Sequence, residues 1–147
     1  MRFMMLVRAT DDSEAGVLPS SGVIAEMGRF NEQLVRAGVL LAAEGLHPTS
    51  RALRVRFSGG TRTVVESPFP HTGELLAGFW LIQARSRDEA LAWVQRIPDP
   101  GGDPMEVELR QVFEAEDFGE AAHPLPDRVE GERRIQHAAA NGAAAPS

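Results

Sequence analysis

The sequence predicts a single α+β domain: one antiparallel sheet with two helices on one of its faces. Three observations point to it. Residues 3–7 and 75–82 are almost continuously apolar, two other segments repeat apolar residues at helical spacing, and a Gly59-Gly60 pair is flanked by alternating runs.

The elements follow in order. Residues 3–7 read as a strand covered on both faces, and the turn-rich ATDDSEAGVLPSS comes next. Over 21–37, Val23, Ile24, Met27, Phe30, Leu34 and Ala37 form an apolar stripe, with Glu26, Arg29, Glu32, Gln33 and Arg36 opposite. Ser20 or Ser21 caps the start of this helix and Gly38 ends it. Residues 39–43 read as a second strand, leading into EGLHPTS, a loop that carries His47.

In ALRVRFSGGTRTVVES the two-residue turn sets a hairpin register. It pairs Ser58 with Thr61, Phe57 with Arg62, Val55 with Val64 and Leu53 with Glu66. Glu66 therefore shares a face with Val55 and Val64, at the end far from the turn. The loop ESPFPHTGE is stiffened by Pro68 and Pro70, which restrict φ. LLAGFWLIQ is a strand apolar on both faces. SRDEALAWVQRIP opens with a Ser86-x-x-Glu89 capping box, presents Ala90, Leu91, Val94 and Ile97 at helical spacing, and stops at Pro98. MEVELRQVF alternates strictly, with Met105, Val107, Leu109, Gln111 and Phe113 on one side.

This order is ferredoxin-like in outline. Two helices cover one face of the sheet, yet its inner strands are apolar on both. The helix-free face is therefore expected to meet a second copy of the same sheet, giving a homodimer. Residues 119–147 are rich in alanine, glycine and proline, so they are expected to form a mobile tail beyond a domain of residues 1–118, with at most a short helix at 127–140.

Composition narrows the chemistry. A chain of 147 residues suits one domain, and it carries no cysteine for disulfides or thiolate catalysis. A net charge of -6, with fifteen scattered arginines and no lysine, argues against a nucleic-acid surface. No stretch approaches the roughly 20 apolar residues of a membrane span, and the start reads as a strand rather than a signal peptide. A soluble cytoplasmic protein is expected. Without Lys, Cys or Tyr, chemistry falls to His, Asp/Glu, Arg and Ser/Thr.

Each candidate residue has a functional and a plain reading. His47 can be a general acid or base oriented by a carboxylate, or a turn histidine bonded to nearby backbone. Glu66 can serve as that carboxylate, or lean into solvent from a strand end. His71 and Glu74 are three apart, too few ligands for a metal site, so neither metal nor cofactor is expected. Arg54 and Arg56 lie on the hairpin face opposite Glu66, either simply solvated or binding an anion. Phe79, Trp80 and Trp93 fit a core or a dimer interface.

MRFMMLVRAT, LLAAEGLHPTS, VRFSGGTRTVVESPF, GELLAGFWLIQARSRDEALAWVQRIP and MEVELRQVFEAEDF together resemble the YCII-related family, in particular its DGPF branch, over residues 1–118. The resemblance implies a ferredoxin-like, dimeric α/β-barrel domain. For some branches it implies lyase or dehalogenating chemistry with a His/Asp pair, and for the DGPF branch an association with alternative sigma factors. The family's loop histidine falls on His47. Its Asp-Gly-Pro-Phe falls on Glu66-Ser67-Pro68-Phe69, with glutamate for aspartate and serine for glycine.

Three functions follow as expectations. One is a small-molecule-binding domain with a pocket near His47, Glu66, Phe69 and His71, and Arg54 as a further ligand-binding residue. Another is a cofactor-free lyase or isomerase in which His47 moves a proton, oriented by Glu66. The third is a structural dimerisation module.

Overall fold

The computed structural model describes residues 1–69 and 74–122. Its strands are β1 (Arg2–Arg8), β2 (Leu40–Gly45), β3 (Leu53–Ser58), β4 (Thr61–Glu66), β5 (Leu76–Gln83) and β6 (Val107–Gln111). Its α-helices are α1 (Asp11–Glu14), α2 (Ser21–Arg36) and α3 (Arg87–Val94). Four strands form an antiparallel sheet in the order β2-β5-β1-β6, while β3 and β4 pair only with each other. The hairpin is thus a sheet of its own, not part of the single sheet expected. The four-stranded sheet is open, with β2 and β6 as edges, so no barrel closes among the described residues.

Local chemistry explains the helix ends. Ser20 accepts a hydrogen bond from the Val23 backbone N–H, and Gly38, at φ +71°, follows the last turn of α2. Ser86 likewise accepts from the Glu89 N–H, but the Glu89 carboxylate takes the Arg85 N–H and Nε rather than closing the box on Ser86. These two bonds hold its carboxyl below its ordinary value near 4.5. The short α1, absent from the sequence expectation, starts from a Thr10 cap whose partner is Ser13.

Both long helices cover the same face. Phe3 and Met5 of β1, Trp80 and Ile82 of β5, Phe30 and Leu34 of α2 and Ala90 of α3 share one core, with Met27, Trp93, Val94 and Leu109 packed against it. Phe30 meets Trp80 edge-on at 5.5 Å, and the Trp80 indole N–H donates to Asn31 Oδ1 at 2.8 Å. A buried indole needs such a partner. Three residues of the expected stripes are exposed: Ile24 at 56 %, Leu91 at 44 %, and Ala37 at the end of α2. Trp93 and Asn31 take part in the buried faces instead.

Among the described residues of 1–112, the opposite face carries no helix. Register places Met4 and Leu6 of β1 beside Leu81 and Phe79 of β5, all half-buried, with Glu44, Glu108 and Arg110 on the flanking strands. Gly78 sits where β5 approaches β2 so closely that a Cβ would lie 2.8 Å from the Glu44 carbonyl oxygen.

Residues 1–112 form one compact unit. A second begins at Phe113, where a 3-10 segment (Ala115–Ala122) kinks at Gly119 and the rings of Phe113 and Phe118 lie 5.1 Å apart. Residues 123–147, including the helix expected at 127–140, lie outside the described residues. No helix among those described is long and apolar enough to cross a membrane.

Candidate functional site

His47, Arg54, Glu66 and Phe69 lie on segments that lead into or out of the hairpin. The loop after β2 brings His47 into a 3-10 turn (Thr49–Arg51), which feeds β3 and Arg54. The hairpin returns through Glu66 into the cis Ser67–Pro68 bond and Phe69. The register is the one read from the turn: Leu53 opposes Glu66, Val55 opposes Val64 and Phe57 opposes Arg62. Gly59 and Gly60 take φ of +56° and +81°, as a tight turn with two left-handed residues requires.

Phe69 is an anchor. At 9 % exposure it joins Ala9 and Leu75 in a small satellite core, with Ala52, Val65 and Ala77 packed against it. The Arg54 guanidinium lies over its ring, 3.9 Å from the centroid, a cation–π arrangement. The proline-stiffened loop thus seats its aromatic residue in the protein, and Ser67 Oγ approaches the Ser50 carbonyl at 3.5 Å.

His47 is exposed, and its described side-chain partner is Arg51. The Nη1 atom of Arg51 straddles the ring edge, 3.2 Å from Nδ1 and 3.0 Å from Nε2. No hydrogen bond or ion pair among the described residues joins His47 to Glu66. His71 lies outside the described residues.

Two arrangements here had no signal in the sequence. The Glu14 carboxylate accepts from the Thr49 backbone N–H, at 3.3 Å from each oxygen, and from the Thr49 hydroxyl, tying α1 to the His47 loop. On the helix-free sheet face, Arg8 Nη2 lies 3.2 Å from Glu108 Oε2, with Arg110 Nε 4.0 Å from the other oxygen. The Arg8 Nε is buried with no hydrogen-bond partner. Pairing of side chains 100 residues apart leaves no mark on local periodicity.

Two surface clefts lie among the described residues. An open cleft of about 490 Å³ runs between the end of α3 and the segment before β6, lined by Ile97, Asp99, Asp103 and Met105 among others. Another of about 250 Å³ follows the hairpin turn from Phe57 to Arg62. Neither includes His47, Glu66 or Phe69.

Comparison with known proteins agrees with this frame. The family model of the YCII-related domain matches residues 1–116. An uncharacterised protein of Rhizobium meliloti (strain 1021) is 33 % identical over 90 residues, covering 61 % of this chain and 73 % of that protein.

Proposed function

We propose that this chain, which belongs to the YCII-related domain family, works as a homodimer that binds a small anionic molecule. The copies join through the helix-free face of the sheet, and the ligand is received at the hairpin base, where His47, Arg51, Arg54 and Phe69 lie.

One observation carries the ligand class. The groups set against His47 and Phe69 are the guanidinium groups of Arg51 and Arg54. Ion pairs among the described residues engage other arginines, namely Arg8, Arg36, Arg85 and Arg110. A carboxylate or phosphate supplies two oxygens to a guanidinium fork in matched geometry, which no side chain among the described residues supplies to Arg51 or Arg54. A general acid or base, by contrast, works best with an orienting carboxylate, and His47 faces a cation. The dimer is supported by the sheet: Met4, Leu6, Phe79 and Leu81 form an apolar centre that the helices leave uncovered.

Calorimetric titration with inorganic phosphate and citrate tests the binding. The expected result is saturable binding of at least one of them, weakened about tenfold or more by Arg54→Ala or Arg51→Ala, as fits loss of a charge-assisted bond. Equal affinity in wild type and both variants would overturn the assignment. Light scattering tests the dimer: Leu6→Glu is expected to lower the associated mass, and an unchanged mass would refute association through the sheet face.

A further inference from the structure

We propose that the β3–β4 hairpin is itself a self-association surface, its outer face meeting the same face of a second copy in antiparallel register. The inner face is already occupied: Arg54 lies over Phe69, and Val65 packs against the satellite core. The outer face has three rungs. Leu53 and Glu66 stand at the base, Val55 and Val64 in the middle, and Phe57 and Arg62 beside the turn. Its apolar members Leu53, Val55, Phe57 and Val64 are 66, 47, 69 and 60 % exposed. A lone two-stranded hairpin is marginally stable in water, so such a face needs cover.

The rung pattern selects the occupant. Two such faces can stack about a two-fold axis that lies between them, at right angles to the strands. The middle rungs then coincide, valine on valine. The base rung of one copy lies over the tip rung of the other, so Leu53 opposes the partner's Phe57 and Glu66 opposes the partner's Arg62, each twice by symmetry. Rotation about the strand direction instead sets Leu53 against the partner's Glu66, an apolar group against a charge. The antiparallel stack therefore matches apolar to apolar and acid to base at every rung, which is what an isologous contact requires. Stacked sheets lie about 10 Å apart with strands nearly aligned, within reach of these side chains.

Both charges are available for this. Among the described residues neither Glu66 nor Arg62 makes an ion pair, and the Arg62 guanidinium rests 5.2 Å from its own Phe57 ring. The contact uses residues other than Met4, Leu6, Phe79 and Leu81 of the sheet face, so the two contacts can be tested separately.

Sedimentation velocity on the full chain tests it. Leu6→Glu, with Leu81→Glu as a second blocking variant, first disables the sheet face; Glu66→Arg and Arg62→Glu are then added singly. Residual self-association should weaken about tenfold or more in each charge variant, since like charges then oppose twice. An equimolar mixture of the two charge variants should regain the parental association, because every contact again joins opposite charges. That rescue also shows that both variants are folded. Charge variants that associate as tightly as their parent, or a mixture that stays dissociated, would overturn the contact. A sheet-blocked chain that is wholly monomeric overturns the hairpin contact and leaves the sheet-face dimer standing. Blocking variants that change nothing, in a chain that the charge variants dissociate, sink the sheet-face dimer and leave the hairpin contact standing.

Discussion

Replacing Phe69 by alanine separates a structural anchor from a pocket wall. The ring is 9 % exposed against Ala9, Leu75, Ala52, Val65 and Ala77, with Arg54 stacked above it. Truncating a fully buried phenylalanine costs about 3–5 kcal/mol. The satellite core is small and can partly collapse, so the lower end, about 3 kcal/mol, is expected. At about 2–4 °C per kcal/mol for a chain of this size, the melting midpoint should fall by about 6–12 °C. Phe69→Leu retains most of the volume and should cost about 1–1.5 kcal/mol. What it loses beyond packing is the guanidinium contact, about 0.5–1 kcal/mol at a partly exposed site. Urea denaturation of Phe69→Leu, Arg54→Ala and the double variant should therefore show a coupling of that size, with unchanged m-values. A Phe69→Ala protein within about 0.5 kcal/mol of wild type, the range of an ordinary surface substitution, would refute the reasoning. The loop would then hold its ring loosely, as a ligand-facing wall would.

Three further outcomes follow from the structure. Gly78→Ala brings a methyl to 2.8 Å from the Glu44 carbonyl oxygen of the neighbouring strand, so it should destabilise by about 1–3 kcal/mol in urea melts. Asn31→Ala removes the acceptor of the buried Trp80 N–H and should cost about 1–3 kcal/mol; most of that penalty should vanish in a Trp80→Phe background, which has no donor to orphan. Glu89 has a folded-state pKa below its ordinary value near 4.5 because Arg85 bonds its carboxylate. Its stabilisation is complete above the ordinary value and is lost as pH falls through the folded one. The melting-temperature gap between wild type and Glu89→Gln should accordingly shrink on acidification below about pH 4.5.

The hairpin register was legible because a two-residue Gly-Gly turn admits one pairing, and each later pair is counted from it. What alternation cannot say is which neighbour a strand bonds, so the hairpin's separation from the four-stranded sheet was hidden. The α2 stripe was legible at Met27, Phe30 and Leu34 but not at its margins. Ile24 faces outward while Asn31 turns in, since its amide finds the Trp80 indole 49 residues away. Helix α1 has four residues and no apolar periodicity to betray it. At the site, the His47–Arg51 contact spans one turn and lay within reach of a careful local reading. The seat of Arg54 on Phe69 and the clasp of Glu14 on Thr49 join distant segments, and side-chain type alone does not specify such meetings.

The strand order bears on how the chain acquires its shape during synthesis. Strand β1 leaves the ribosome first, yet both its neighbours are encoded late: Phe3 pairs with Ile82 and with Gln111, the latter 111 − 3 = 108 positions downstream. Long-range pairing of this kind folds slowly and leaves greasy segments unprotected meanwhile. Nascent chains halted at Asp103, before β6 exists, should stay sensitive to added protease, whereas those extended past Gln111 should become resistant. The most apolar stretch of the nascent polypeptide thus waits longest for company, which makes chaperone dependence an expected trait of its biogenesis.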